Sequence, residues 1–266
     1  MTVARGGPYP YRSALVTGAS SGIGAEFAEH LARLGTDLTL VARRETRLKH
    51  LADRLTERYG VGVDVLALDL ADDLDLRRAA ERLGDRLRPV DLLVNCAGYA
   101  SARRFDDLPL DREMHQIGVN VLAPVVLSHT ALRAMRERGH GGIVQVSSIV
   151  AALPMPKSAV YGATKAFLGS FGESLHMEAR GSGVHVTTVR TGLVRTEFHR
   201  AAGLDTAGLP KLAWLEPHQV VAPALRAVAR GRPFVTPGAM NRAQPFLLGL
   251  LPRPLLQALV RRIYRV

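Results

Sequence analysis

Apolar and polar positions along this chain follow two alternating rhythms. Short apolar runs occupy 14–16, 38–41, 63–68, 91–94, 142–146 and 184–189, the length of strands buried on both faces. Between them, apolar residues recur three or four positions apart. Phe27, Leu31 and Leu34 mark one helical face that ends at Gly35, and Leu48, Leu51 and Leu55 mark a second. Helices are also predicted over about 73–87, 111–138, 160–179 and 217–230, followed by a short strand at Phe234 and Val235. This alternation predicts an α/β fold, with a parallel sheet covered by helices on both faces in a single domain. No domain boundary and no internal repeat interrupts it.

The informative polar residues stand where the apolar runs stop. The first run ends in Thr17-Gly18-Ala19-Ser20-Ser21-Gly22-Ile23-Gly24 and leads into a helix. A glycine-rich turn there lets backbone N–H groups and a helix N-terminus approach a pyrophosphate. Gly18 would make the turn, Gly22 admit a ligand and Gly24 let the helix pack on the strand. The second run ends in Ala42-Arg43-Arg44, where NAD-binding units carry an acid for the ribose 2′-hydroxyl. Guanidinium groups in that place suit a 2′-phosphate. The third run ends at Asp69-Leu70 and the fourth at Asn95-Cys96-Ala97-Gly98, whose small residues let a flat ligand lie against the backbone. Asn120, an amide among apolar neighbours, is either a structural link or a polar group facing a site. The fifth run ends in Ser147-Ser148, and Tyr161 and Lys165 follow four apart, on one face of a helix. An ammonium there is expected to pull the phenol pKa toward neutrality, so that it exchanges protons with a carbonyl or alcohol oxygen that Ser148 also reaches. After the sixth run comes Arg190-Thr191-Gly192-Leu193-Val194-Arg195-Thr196. The irregular stretch 197–216 reads as a substrate lid.

Composition narrows the chemistry. The single cysteine, Cys96, excludes an internal disulfide, fits a reducing compartment and reads as a small buried residue and not a nucleophile. No metal site is expected, since the nine histidines show no paired ligand spacing. The first twelve residues lack the apolar core of a signal peptide, and no uninterrupted apolar run reaches the ~18 residues of a spanning helix. The net charge is +11, but arginine is spread along helices and aromatics are only 5%, which argues against nucleic acid as a partner. A phosphate-bearing ligand or an anionic membrane are the sharper readings of that charge.

The glycine turn, Asn95-Cys96-Ala97-Gly98, Asn120, Ser148 and Tyr161-x-x-x-Lys165 resemble, in order, the motif set of the short-chain dehydrogenase/reductase family. Ser148 and Tyr161 also keep that family's usual interval, and the resemblance spans about 13–235. It implies a Rossmann-type fold with a seven-stranded sheet and an NADPH/NADP+ cofactor. Tyr161 would be general acid/base, Lys165 would lower its pKa and hold the nicotinamide ribose, Ser148 would orient the carbonyl, and Asn120 would hold a relay water. Cofactor contacts would come from Gly18, Ser20, Ser21, Gly22, Ile23, Gly24, Arg43, Arg44, Asp69, Leu70, Asn95, Ala97, Gly98, Tyr161, Lys165, Gly192, Val194 and Thr196. Cys96 and Thr191 depart from the family pattern, which has asparagine and proline there. The expected function is NADPH-dependent reduction of a ketone. A non-catalytic relative that senses NADP(H) through a partner is the alternative.

The small-molecule carbonyl substrate is expected to be hydrophobic, because Leu153, Met155, Phe198, Leu204, Leu209, Leu212 and Trp214 populate the segments that would surround it. Family relatives commonly pair through the two long helices, so a homodimer or homotetramer is expected, with Phe167, Phe171 and Leu175 as an apolar stripe. The chain divides into a flexible lead-in (1–12), a catalytic domain (13–238) and a basic amphipathic tail (239–266). In the tail, Leu255, Leu256, Leu259, Val260 and Ile263 share a helix face opposite Gln257, Arg261 and Arg262. Such a helix either touches an anionic membrane or packs on its own domain or on a partner subunit, bordering the substrate pocket. A cytoplasmic location follows, peripheral on the inner face of the membrane in the first case.

Overall fold

A computed structural model describes residues 9–204, 206, 211–243 and 252–264. Its strands are β1 (Ser13–Thr17), β2 (Asp37–Ala42), β3 (Val63–Ala67), β4 (Leu92–Asn95), β5 (Gly141–Ser148), β6 (Val184–Thr191), β7 (Leu193–Val194), β8 (Trp214–Leu215) and β9 (Phe234–Val235). Between them run α1 (Gly22–Arg33), α2 (Glu45–Tyr59), α3 (Asp73–Gly84), α4 (Leu110–Ile117), α5 (Ala123–Arg138), α6 (Ala159–Glu178), α7 (Phe198–Ala201) and α8 (Pro217–Ala229), with α9 (Arg253–Tyr264) after them. Seven strands make one parallel sheet in the order β3-β2-β1-β4-β5-β6-β9. The strand order reverses at β1, and the crevice above the carboxyl ends of β1 and β4 is where such sheets bind ligands. The expected Rossmann-type architecture is the one observed.

Period-two alternation divides the core. Ala14 and Val16 of β1 face one layer with Phe27, Leu31, Leu48 and Val220, while Leu15 faces the other with Leu83, Leu127 and Met135. Full burial of one such side chain contributes about 1.5–3 kcal/mol. Leu34, expected on the buried face of α1, is instead the exposed residue that ends the helix.

The sequence pattern predicts one helix over 111–138. The structure breaks it with a π-turn at Gly118–Leu122, where the Ala123 N–H bonds the Gly118 carbonyl five residues back. An extra residue in one turn leaves the apolar pattern intact, so periodicity does not reveal it; such turns gather at functional sites. The whole stretch Leu110–Arg138 is long and apolar enough to span a membrane, but half of its apolar window is buried in the fold, as for a core helix.

Three further segments differ from expectation. Residues 9–12, placed in a flexible lead-in, are anchored: Tyr11 is 2% exposed, its hydroxyl donates to the Val228 carbonyl at 3.3 Å, and Arg12 N–H donates to Asp91. The lid is not wholly irregular, since α7 and the small parallel pair β7–β8 lie within or beside it. The tail joins the domain through Asn241, 5% exposed, whose side-chain oxygen stands 2.3 Å from where a Cβ on Gly192 would be. On α9, Val260 is buried and Leu256 partly so, whereas Leu255, Gln257, Arg261 and Arg262 are exposed. Of the three positions of the expected apolar face whose burial is described, Leu256 and Val260 are turned inward and Leu255 is not. Leu209 of the lid and 246–251 of the tail lie outside the described residues.

Candidate active site

The carboxyl ends of β1 to β6 supply the residues around the crevice. Gly18 has φ 70°, and a Cβ there would stand 2.8 Å from the Ala97 Cα, so only glycine lets the two loops touch. Thr17 locks that contact: its hydroxyl accepts the Cys96 and Ala97 N–H groups, each at 3.0 Å. Gly24 carries out the packing role expected of it, since a Cβ would meet the Gly18 carbonyl at 2.3 Å. Ser21 caps α1 without a side-chain capping bond, because its hydroxyl is used elsewhere.

That partner is Arg44. Its Nη2 donates to Ser20 Oγ at 2.9 Å and to Ser21 Oγ at 2.7 Å, and its Nε to Ser20 Oγ at 3.1 Å. A guanidinium beside the positive end of α1 is electrostatically unfavourable unless an anion joins it. Arg43 turns the other way, 3.6 Å from Asp69. Burial works against the Asp69 carboxylate, but the Ala71 N–H, His115 and Arg43 hold its pKa below the usual range. His115 lies between Asp69 (3.1 Å) and the Tyr99 hydroxyl (2.8 Å). Leu70, expected as an adenine contact, has its side chain in the core.

At the other end of the crevice, Ser148 closes β5. Its hydroxyl donates to the Thr191 carbonyl at 3.1 Å. Burial pushes the Tyr161 pKa up, and the Ser148 hydroxyl beside the phenol works the other way. Lys165 is 6% exposed, its pKa pushed down to about 8 by burial, and its Nζ donates to the Val146 carbonyl at 2.8 Å. Tyr161 and Lys165 do lie on one helix face, but Nζ sits 5.7 Å from the ring centroid and burial dominates the phenol. The expected lowering of the phenol pKa by Lys165 is therefore not present in this structure.

Asn120, fully buried in the π-turn, has its side chain spent. Its Oδ1 accepts the Tyr99 N–H at 3.2 Å, and its Nδ2 donates to the Tyr99 carbonyl and Thr164 Oγ1, both at 3.1 Å. The amide thus links the Tyr99 loop to α6 while its Oδ1 also lies near the space beside Lys165. Gly98 marks the space between the groups: a Cβ there would stand 3.2 Å from Asn120 Oδ1 and 3.5 Å from Lys165 Nζ. Asn95 donates its amide N–H to Ser128 on α5 at 3.0 Å, while its Oδ1 is buried without a partner among the described residues. Burial pushes the Cys96 thiol up to about 12, as expected of a structural cysteine. Thr191, in place of proline, holds both serines: its hydroxyl donates to the Ser147 carbonyl at 3.0 Å and its carbonyl accepts from Ser148.

Of the remaining expected contacts, Ile23 packs on the core at the start of α1, Val194 is buried in β7, and Gly192 abuts Asn241. Thr196 stands 3.1 Å from a Cβ position on Gly22. On the lid, Phe198 lies 5.6 Å from the Tyr161 ring, and His199 is edge-on to Trp214 at 4.9 Å. Among the described residues His199 Nδ1 has no hydrogen-bond partner, and burial lowers its pKa. A cavity of about 400 Å³ opens between the loop after Gly98, Lys157 and the lid. Its lining mixes the charged Arg103, Arg104, Asp107 and Lys157 with Ala102, Ala202 and Gly203. Sequence reasoning missed Thr17, His115, Glu197 and Asn241; only the polar Thr17 closing an apolar strand left a signal.

Comparison with known proteins agrees with this geometry. A profile described as short chain dehydrogenase matches residues 12–206, so the chain belongs to the short-chain dehydrogenase family. It is an oxidoreductase that acts on alcohol or carbonyl groups, in a family that uses nicotinamide cofactors. An uncharacterised oxidoreductase of Myxococcus xanthus is 34% identical over 95% of this chain and 98% of its own length. Some other curated relatives are matched over only 61% of their length, among them a very-long-chain 3-oxoacyl-CoA reductase of Anas platyrhynchos at 32% identity over 70% of this chain. Among solved structures, a short-chain dehydrogenase from Sphingobium yanoikuyae in complex with NADPH superposes with a TM-score of 0.80 at 34% identity, covering 91% of this chain and 96% of that one. A bulky-bulky ketone specific alcohol dehydrogenase from Comamonas testosteroni gives 0.77 at 29% identity, covering 92% and 96%.

Proposed function

We propose that this chain is an NADPH-dependent reductase of a hydrophobic ketone. The observation that carries the reading is the grouping of Ser148, the Tyr161 phenol and buried Lys165 at the carboxyl end of β5. A bound nicotinamide supplies the hydride. Ser148 and Tyr161 hold the carbonyl oxygen between two hydroxyls, and the phenol gives it the proton that completes the alcohol. Burial keeps Tyr161 protonated at neutral pH, the state a general acid needs, and Lys165 holds the ribose in the space that Gly98 leaves. With the Asn120 amide occupied, its role is to fix the Tyr99 loop and α6, and a relay water falls to the main chain of the π-turn. Phe198, Met155 and Trp214 favour a hydrophobic substrate, in line with the bulky ketone named for the Comamonas enzyme.

Arg44 with Ser20 and Ser21 fits a 2′-phosphate better than Arg43, which faces Asp69. Arg44→Ala is expected to weaken NADPH binding about ten- to a hundred-fold, with little change for NADH, by nucleotide fluorescence titration. Equal loss for both cofactors would overturn the assignment. NADPH oxidation with a panel of aliphatic, steroidal and aromatic ketones tests the activity itself. The exposed Leu122, Val126, Phe167 and Met177 on and beside α5 and α6 support the homodimer or homotetramer reading.

A further inference from the structure

Glu197 opens the lid segment, yet its carboxylate reaches back to the arginines after β2. Its Oε2 accepts from Arg47 Nη1 at 2.7 Å and from Arg44 Nη1 at 3.2 Å. The opposite edge of the Arg44 guanidinium lies on Ser20 and Ser21. Arg44 thus sits between the glycine turn and an acid 153 residues further along the chain. The neighbouring Thr196 packs on Gly22, so the start of the lid meets the glycine turn directly there and through Arg44 at Glu197. Of the other charges nearby, Arg43 pairs with Asp69, while Arg47 has Glu197 as its described partner.

The strength of this arrangement decides its role. The side chains of Glu197, Arg44 and Arg47 are 40%, 45% and 48% exposed, so their ion pairs are screened by solvent and easily exchanged. A phosphate monoester brings nearly twice the charge of a carboxylate and three acceptor oxygens. Its competition for Arg44 is therefore favourable, but not free of cost.

We propose that Glu197 is a cofactor-specificity residue, a built-in carboxylate that occupies Arg44 and that a 2′-phosphate must displace. The inference rests on the NADPH reading above. A nucleotide with a bare 2′-hydroxyl leaves the Glu197 pairs intact. One with a 2′-phosphate exchanges an internal anion for its own, and Arg47 keeps the displaced carboxylate. Glu197 thereby reduces the discrimination that Arg44 alone would give, and it couples phosphate recognition to the base of the lid.

The test is calorimetric titration of the full chain and its Glu197→Gln variant with NADPH, NADH and adenosine 2′,5′-bisphosphate. The variant is expected to bind NADPH and the bisphosphate roughly two- to five-fold more tightly, the scale of an exposed ion pair, with NADH unchanged. Adding Arg47→Ala to that variant should alter nothing more; a further loss of NADPH affinity would mean that Arg47 touches the phosphate directly and would overturn the displacement. Unchanged or weaker NADPH binding in Glu197→Gln, or equal tightening for NADPH and NADH, would sink the proposal. A parent with no preference for NADPH would instead count against the cofactor reading, whereas failure of the variant on a parent that prefers NADPH counts against Glu197 alone.

Discussion

The two ends of the crevice handle charge in opposite ways. At the end beside β2, Arg43, Arg44 and Arg47 are exposed and matched by the carboxylates of Asp69 and Glu197. At the end beside β5, Lys165 is buried and its described hydrogen-bond partner is the Val146 carbonyl. Exposed pairs cost the fold little and trade partners readily, which suits selection among nucleotides. A buried, half-compensated ammonium costs stability, which is tolerable only where the charge does chemistry.

The largest effect that would sharpen this contrast is at the buried end. Tyr161→Phe removes one oxygen, so ketone turnover should fall about 10²–10⁴-fold while NADPH binding stays within about twofold. A variant with nearly parental turnover would break the contrast, because it would take the proton from elsewhere.

Next comes the cost of Lys165. Its pKa falls from 10.5 unfolded to about 8 folded, so between those values the unfolded chain binds more protons and stability rises with pH. Below about pH 8 the penalty is present in full. Lys165→Met is therefore expected to stabilise the cofactor-free protein by about 1–3 kcal/mol at pH 7 while losing activity, the advantage shrinking as pH approaches 10.5. Urea unfolding at pH 7 and pH 10 measures both; a variant less stable than the parent at pH 7 would make Lys165 a structural asset.

The smallest expected change is at Thr191. Thr191→Val keeps shape and removes the bond to the Ser147 carbonyl, so a loss of about 0.5–1.5 kcal/mol is expected in thermal unfolding. Turnover should hold within about threefold, because Ser148 bonds the backbone of Thr191 and not its side chain. A collapse of turnover would place the hydroxyl in the site itself.

How far the fold was legible follows the same division. Runs such as Leu38 to Val41, buried on both faces, and faces such as Leu48, Leu51 and Leu55 state their structure in their spacing, and the sheet follows. The glycine turn was legible because Gly18 and Gly24 answer to steric limits that no other residue meets. Two-residue strands such as β7 and β8 are too short for a period, and the π-turn at Gly118–Leu122 hides inside an unbroken helical pattern. Glu197 meeting Arg44, or Asn241 meeting Gly192, depends on tertiary closure between distant segments, which spacing cannot express. The phenol pKa failed for a related reason: proximity on a helix face was readable, whereas the burial that outweighs it was not.

The contact of Asn241 with Gly192 also sets a schedule for the ribosome. The glycine turn meets its partner loop once Ala97 has emerged, well before the middle of the chain. The loop after β6 has to wait for a residue made 49 positions later. A nascent chain halted before Asn241 therefore carries a complete nucleotide turn and an unfinished Gly192 loop. The half of the crevice that recognises a cofactor matures before the half that would use it.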